Sequence, residues 1–152
     1  MIQEYVNGFM INWLTQQALM IEKQRPAFQK GKWNGIGGKV EANESLLDAM
    51  VREFREETGV TTEAQSWQRT LVLSGPDFAV HFFRSHVSEF PAYRQTTDEP
   101  LGVFHVNSLI SIGPASLPVL DNARWIIPFQ FFTGDLAYPV FIDIKRRDEA
   151  HS

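Results

Sequence analysis

Apolar and polar residues alternate in blocks along this chain. Short apolar runs bounded by Gly, Pro, Asn or Gln are typical of β-strands, whereas apolar residues at helical spacing are typical of helices. The runs that predict strands lie at residues 5–14, 18–22, 66–74, 78–87, 101–106 and 138–144. Only a short polar run separates the first two, which favours a hairpin.

One stretch carries the start and stop signals of a helix. Ser45 followed by Asp48 has the form of a capping box, so a helix is expected to begin near Leu46. Gly59 is placed to end it in a left-handed turn. We expect one apolar face and an opposite acidic face. The first would hold Leu47, Met50, Val51 and Phe54, and the second Glu53, Glu56 and Glu57.

Adjacent carboxylates on one helix repel one another, so the grouping of Glu53, Glu56 and Glu57 needs a physical reason. An acidic solvated surface would be the simpler interpretation of three glutamates alone. Clustered carboxylate oxygens also suit a hard divalent cation, above all Mg²⁺, which in turn binds phosphates. The Gly37-Gly38 turn, Glu44 and Arg52 lie at fixed spacing from the three glutamates, and this combination favours the metal site.

A second helix is predicted near the C-terminal end of the chain, at residues 122–132. Asp121 is a natural N-cap, and Gly134 is expected to end the helix. Pro128 is expected to kink or shorten it. The charged residues 145–152 predict a frayed tail.

Composition limits the class of protein. With 152 residues, of which 43% are hydrophobic and 12% aromatic, the chain predicts one globular domain spanning residues 1–152. A formal net charge of -4 gives no general attraction to nucleic acid polymers. The absence of cysteine excludes thiol chemistry and, with no apolar run of membrane-spanning length, predicts a cytoplasmic protein without a membrane partner. Nothing in the sequence indicates an oligomeric state.

Residues 38–60, GKVEANESLLDAMVREFREETGV, resemble a complete Nudix box, the signature of the MutT-like hydrolases. The one mild departure is Phe54, where a bulky aliphatic residue is more usual. The resemblance implies a Nudix-type fold of the α/β (α+β) class. In this fold a mixed, curved β-sheet lies between helices in an α/β/α sandwich, and the box forms a loop-helix-loop.

The resemblance also implies roles for individual residues. The cofactor would be Mg²⁺, with Mn²⁺ as a substitute, and its ligands would be the Gly37 carbonyl, Glu53, Glu56, Glu57 and Glu99. Either Glu53 or Glu99 would act as general base in the attack of water on phosphorus. Arg52 would orient a box carboxylate through a charge-assisted hydrogen bond, and Glu44 would brace the loop.

Two polar segments ahead of the helix are expected to form loops at the phosphate site. Residues 23–32 are broken by Pro and Gly and contain four bases, among them Lys23, which would lie close to bound phosphates. The glycine-rich residues 33–40 are expected to present backbone groups to metal and phosphate. Lys39 would contact phosphate or remain solvated, and the sequence does not decide between the two.

KGKWNGIGGKVE and LDNARW are similar to segments of the enzymes that hydrolyse oxidised purine nucleoside triphosphates. That similarity implies contacts to the base from Phe28, Asn34, Asp121 and Asn122, with Trp125 as a wall or stacking partner. This chain departs from the subgroup, which carries two adjacent aspartates, by having Asp121-Asn122. The alternatives remain that Asp121 only caps a helix and that Phe28 and Trp125 belong to the core.

Three functions are compatible with these observations. The first is a Mg²⁺-dependent pyrophosphohydrolase that converts a nucleoside triphosphate, such as 8-oxo-dGTP, to the monophosphate and pyrophosphate. The second is hydrolysis of ADP-ribose or another dinucleotide or nucleotide sugar, to which Pro76 in a Gly-Pro-Asp turn gives weak support. The third is a non-catalytic binding module, which the intact glutamates disfavour.

Overall fold

A mixed β-sheet forms the centre of the protein. The computed structural model describes residues 2–112 and 117–144, and the tail predicted at residues 145–152 lies outside them. The strands of the described part are β1 (Gln3–Asn12), β2 (Gln17–Glu22), β3 (Trp33–Asn34), β4 (Ile36–Lys39), β5 (Gln68–Ser74), β6 (Phe78–His86), β7 (Leu101–His105) and β8 (Val140–Asp143). The helices are α1 (Leu46–Thr58), α2 (Val106–Ile110) and α3 (Ala123–Phe132), with single 3₁₀ turns at Ala27–Gln29 and Ala64–Ser66.

β1 lies in the middle of the strand order β3-β2-β1-β6-β5-β8. It pairs in parallel with β6, from Gln3 opposite Phe78 to Ile11 opposite His86. On its other side β1 pairs antiparallel with β4 along its first half and with β2 along its second half. β7 joins the sheet through β2, and β8 joins through a parallel pairing with β5.

Each face of the sheet is covered by helices. On one face, Met50 and Phe54 of α1 are fully buried among residues such as Met10 and Phe83. Burying a side chain of this size contributes about 1.5–3 kcal/mol. On the other face, α2 and α3 pack against Phe9 and its neighbours on the sheet. The expected mixed sheet in an α/β/α sandwich is therefore confirmed. No helix in the described part of the chain is both long enough and apolar enough to span a membrane.

The ends predicted for α1 are confirmed by its capping geometry. The Ser45 hydroxyl accepts a hydrogen bond from the backbone N–H of Asp48 at 3.1 Å, as a capping box requires. At the other end Gly59 has φ 74°, and its N–H donates to the Arg55 carbonyl. Local sequence signals were sufficient here because both ends of the helix are built from neighbouring residues.

Residues 33–40 were expected to form a loop, and that expectation is wrong for most of them. They form β3 and β4, and β4 lies so close to β1 that a Cβ on Gly37 would be 1.8 Å from the Val6 carbonyl oxygen. The glycines therefore allow two strands to approach closely, in addition to shaping a turn.

The C-terminal helix differs from its prediction in three ways. Its N-cap is Asn122, without a side-chain cap hydrogen bond, so the expected capping by Asp121 is wrong. Pro128 lies inside α3 and does not end it, because Ile126 and Ile127 hold the helix in the core. The helix ends before Thr133 in extended backbone, without a left-handed Gly134. The short helix α2 was not expected at all.

Candidate active site

The carboxylates of α1 flank its buried face. Glu53 is only 9% exposed, Glu57 is half-buried and Glu56 points to solvent. The expectation that all three lie opposite the apolar residues is therefore wrong. Since successive helix residues are about 100° apart, Glu53 and Glu57 fall beside Met50 on the inward side. Leu47, which was expected on the apolar face, is 36% exposed, whereas its neighbour Leu46 packs against the core.

Glu53 lies directly against the backbone of β4. A Cβ on Gly38 would be 2.5 Å from Glu53 Oε1, so only glycine leaves room for the carboxylate. This contact places a carboxylate of the helix at the strand that precedes it. Together with the close approach of Gly37 to Val6, this contact gives the Gly37-Gly38 pair a packing role that the sequence pattern does not show.

Arg52 holds the acidic side chains of this region in place. Its Nε and Nη2 donate to the two Glu44 oxygens at 2.7 and 2.9 Å, which is a bidentate pair. Its Nη1 donates to Glu53 Oε1 at 2.9 Å and to Glu56 Oε2 at 3.3 Å. Its Nη2 also donates to the Lys39 carbonyl at 3.0 Å. One guanidinium therefore fixes three carboxylates and the end of β4.

Burial and pairing act in opposite directions on these carboxyl groups. The Arg52 hydrogen bonds lower the pKa of Glu44. Burial raises the pKa of Glu53, although Arg52 partly opposes the rise. Burial also raises the pKa of Glu57, and the negative charge of Glu99 adds to the effect. Glu53 and Glu57 are therefore two carboxylates whose anionic forms would be stabilised by an additional positive charge.

Glu99 lies close enough to Glu57 for its charge to affect that residue, but it belongs to the segment before β7. It is 5% exposed, and its oxygens accept hydrogen bonds from Lys23 Nζ at 3.2 Å and from the Gln24 N–H at 2.7 Å. A second ion pair joins the same two segments, since Arg25 binds Asp98 with both terminal nitrogens. The pairs fix residues 23–32 to the turn before β7 and lower the pKa of Asp98.

The residues present fit a hard divalent cation in chemistry, although they are not arranged as a ready-made cluster. Within residues 2–112 and 117–144, no three His, Cys, Asp or Glu side chains are placed to hold a metal ion together. Glu53 and Glu56 are engaged by Arg52, and Glu99 by Lys23. The available ligands are all oxygens, and two of them belong to the desolvated Glu53 and Glu57. Such a donor set is suited to Mg²⁺ or Mn²⁺.

A cavity of about 630 Å³ opens beside this acidic cluster, on the face of the sheet covered by α3. Of the residues expected to bind substrate or metal, it is lined by Lys23, Phe28, Asn34, Gly37, Lys39 and Asn122. Gly38 and Lys23 belong to the rim of both the cavity and the cluster, because they contact Glu53 and Glu99 respectively. Phe28 is 71% exposed at the mouth, so it is not part of the core.

Two residues expected at the base do not line the cavity. Asp121 is exposed in the turn before α3, and Trp125 is 43% exposed. Ala123 and Ile126 are the residues of α3 that face the cavity. Because Trp125 leaves the helix about 100° away from Ile126, it points to a different side.

Other lining residues were missed by the sequence analysis. Arg25 belongs to the basic loop already identified, which was the available signal for it. Asn7 is an asparagine between apolar residues of β1, and this polar position was the available signal for it. Gln29 and Tyr5 carry no sequence signal that separates them from ordinary loop and strand residues.

Comparison with known proteins adds independent information. Residues 5–109 match the family model of the NUDIX domain. The CTP pyrophosphohydrolase of Escherichia coli is 31% identical over 103 residues, which are 64% of this chain and 76% of that protein. The oxidized purine nucleoside triphosphate hydrolase of Mus musculus is 36% identical over 50 residues, covering 33% of this chain and 32% of that protein.

The fold is also similar to that of a solved MutT protein. The crystal structure of the MutT protein from Bacillus halodurans superimposes with a TM-score of 0.66 at 24% identity, covering 84% of this chain and 80% of that chain. The family match spans the sheet from β1 to β7, together with α1 and the segment that holds Glu99. The chain therefore belongs to the Nudix family and is a MutT-like Nudix hydrolase.

Proposed function

We propose that this Nudix hydrolase is a Mg²⁺-dependent pyrophosphohydrolase that converts a nucleoside triphosphate to the monophosphate and pyrophosphate. Oxidised purine nucleotides such as 8-oxo-dGTP are included among its substrates. The observation that carries the proposal is the shared rim: Gly38 and Lys23 belong both to the acidic cluster and to the cavity. A ligand with phosphates at one end and a flat base at the other fits this arrangement.

The acidic cluster would act on the phosphates. Members of the family generally use a divalent metal. Here Mg²⁺, or Mn²⁺ in its place, would be held by Glu53, Glu56, Glu57 and Glu99 together with the Gly37 carbonyl. When bound, it would neutralise phosphate oxygens and acidify a water molecule. Arg52 would hold Glu53 and Glu56 in position, as it does in the structure.

Glu53 is the better supported of the two candidates for general base. Burial raises its pKa, and a base works best when its pKa lies near the working pH. Glu99 already accepts hydrogen bonds from Lys23 and from the Gln24 N–H, which occupy its oxygens. Lys23, Lys39 and Arg25 would offset the negative charge of the triphosphate.

The other end of the cavity would bind the base. Phe28 offers a flat exposed ring at the mouth, and Asn34 and Asn122 offer amides. The Asn34 oxygen accepts the Gly35 N–H at 2.8 Å, so the Asn34 amide nitrogen points away from this N–H group. The named activities of the relatives, on CTP and on oxidised purine nucleoside triphosphates, support a nucleotide substrate. The Asp121-Asn122 pair would contribute through Asn122 alone.

The proposal treats residues 1–152 as one catalytic domain. Support comes from α3, which lies beyond the family match but packs into the same core as β1 and β5. The alternative of a dinucleotide or nucleotide-sugar hydrolase gains no support from the cavity. Pro76, which favoured that alternative, lies in the β5–β6 turn and does not line it.

A substrate panel tests the proposal. The protein would be incubated with Mg²⁺ and with normal and oxidised nucleoside triphosphates, ADP-ribose, NADH and diadenosine polyphosphates, and all products would be identified. We expect monophosphate and pyrophosphate from one or more triphosphates. Turnover of ADP-ribose or dinucleotides alone would contradict the proposal and favour the alternative.

A further inference from the structure

Asn7 has an amide that the folded protein leaves under-bonded. Its Oδ1 is buried and has no hydrogen-bond partner. Its Nδ2 makes one long contact, 3.4 Å to the Gly35 carbonyl. The adjacent Gly35 N–H is not available to Oδ1, because it donates to Asn34. Buried polar groups in native proteins are nearly always paired, so an unpaired oxygen needs an explanation.

The surroundings of Asn7 offer no structural reason for an amide. Asn7 lies on the floor of the cavity, in β1, and its floor neighbours Leu73, Val80 and Phe82 are apolar. A leucine of similar volume would pack there without an unpaired atom. Gly35 is in turn needed to accommodate the amide, since a Cβ there would be 2.1 Å from Asn7 Oδ1.

The second asparagine of the same strand provides the contrast. Asn12 Oδ1 accepts the N–H groups of Leu14 and Thr15 at 2.9 and 3.2 Å, and its Nδ2 donates to the Ser88 carbonyl at 3.1 Å. Asn12 therefore stabilises the turn after β1 with a fully used amide. The amide of Asn7 has no comparable use within the protein.

We infer that Asn7 determines base specificity by accepting an N–H from the edge of the bound nucleobase. Oδ1 reaches a bound base when the side chain rotates about χ1 and χ2 away from Gly35, and the one hydrogen bond that this rotation gives up is the 3.4 Å contact of Nδ2 to the Gly35 carbonyl. The ligand group is an exocyclic amine or a ring N–H of a base held between the floor and Phe28. The inference rests on the proposed function and adds a residue that recognises the base.

The test compares Asn7→Leu and Asn7→Val with wild type. For each nucleoside triphosphate that is hydrolysed, kcat and KM would be measured beside the analogue that lacks the exocyclic amine. We expect kcat/KM for the preferred base to fall roughly ten-fold or more, mainly through KM, and the ratio between bases to shrink. Resistance to urea should be equal to that of wild type or greater, because an unpaired buried oxygen has been removed.

Asn12→Leu is the matched control. It should lose stability, since two backbone N–H groups lose their acceptor, and it should keep the wild-type ratios between bases. Unchanged ratios in both Asn7 variants would overturn the inference. Calorimetric binding of nucleoside monophosphates to the same variants separates it from the proposed function. Equal relative affinities for the bases in wild type and Asn7→Leu would overturn the role of Asn7 even if no triphosphate were hydrolysed.

Discussion

At the scale of single residues, Glu57 combines a destabilising charge with a proposed role in binding the cation. Its pKa is raised by burial and by Glu99, so the ionised carboxylate opposes folding when no cation is present. Glu57→Gln keeps the shape and removes the charge. We expect this variant to unfold at a higher temperature than metal-free wild type, while turnover falls by about a hundred-fold or more. Thermal unfolding in EDTA and steady-state kinetics would measure the two effects.

Glu63→Gln is the control for this prediction, because Glu63 is an exposed residue outside the cluster. It should leave both the unfolding temperature and kcat close to wild type. Full activity of Glu57→Gln would remove Glu57 from the catalytic cluster. Destabilisation by the same change would show that the carboxylate is better paired than its burial indicates.

At the scale of elements, α3 depends on a buried arginine. Arg84 of β6 is 2% exposed, and its guanidinium donates to the carbonyls of Gln130, Thr133 and Gly134 at 3.0, 2.6 and 2.7 Å. These carbonyls lie at the C-terminal end of α3, where backbone acceptors lack helical partners and the helix dipole is negative. Arg84 therefore fastens the helix that covers the cavity to the centre of the sheet.

Replacing this arginine should destabilise the fold. Arg84→Met keeps much of the side-chain length but leaves three carbonyls without a donor, so the free energy of unfolding should fall by roughly 3 kcal/mol or more. Urea denaturation would measure it. Arg124→Met, at a half-buried position of α3, removes one hydrogen bond to the Ser111 carbonyl and should cost about 0.5 kcal/mol or less. Similar losses in both variants would contradict the role assigned to Arg84.

The sequence predicted α1 well because Ser45, Asp48 and Gly59 determine its ends locally. It predicted β4 poorly, because glycines at residues 37 and 38 have the signal of a turn. Only the neighbouring Val6 carbonyl and the Glu53 carboxylate show that close packing requires them. The same limit applies to α3, whose passage through Pro128 depends on core contacts that no local pattern encodes.

For the candidate site, helical periodicity identified the three glutamates of α1 but did not predict which of them are buried. Glu99 could be named only through the family resemblance, because its contact with Lys23 joins residues far apart in the chain. Which residues of α3 face the cavity depends on how the helix is oriented on the sheet. The sequence therefore could not show that Ile126 lines the cavity and Trp125 does not. Asn7 was overlooked because an asparagine within a strand can serve the structure, as Asn12 does, and only the hydrogen bonds of the folded protein separate the two cases.

At the scale of the whole molecule, the acidic cluster links folding to pH and, through the proposed cation site, to metal. For Glu53 and Glu57 the folded-state pKa lies above the unfolded value, so the folded state binds more protons between the two values. Without metal, their contribution to stability is therefore present at low pH and is lost as pH rises through the folded-state pKa. Protons and a cation compete for the same oxygens.

Metal removal tests this coupling. Adding Mg²⁺ to EDTA-treated protein should raise the free energy of unfolding by about 2.7 kcal/mol at a hundred times its Kd. When the Mg²⁺ concentration is held at a hundred times the wild-type Kd at pH 8, the increase should be larger at pH 8 than at pH 5, and smaller in Glu57→Gln than in wild type, because Kd is higher at pH 5 and in the variant. Calorimetric unfolding at matched ionic strength would measure it, with Na⁺ as the control cation. An increase independent of pH would contradict a site built on Glu53 and Glu57.

The parallel pairing of β1 with β6 has a consequence for how the chain is made. Synthesis on the ribosome delivers residues 3–11 well before residues 78–86, their partners over nine registered positions. The helix that carries the glutamates emerges between them, before β1 and β6 can pair to form the floor of the cavity. The apolar side chains of Phe9 and Ile11 therefore remain without their partner strand until β6 has been synthesised. Pairing between such distant segments slows folding and exposes nascent chains to aggregation. The order in which the parts of the candidate site are synthesised is thus different from the order in which they can assemble.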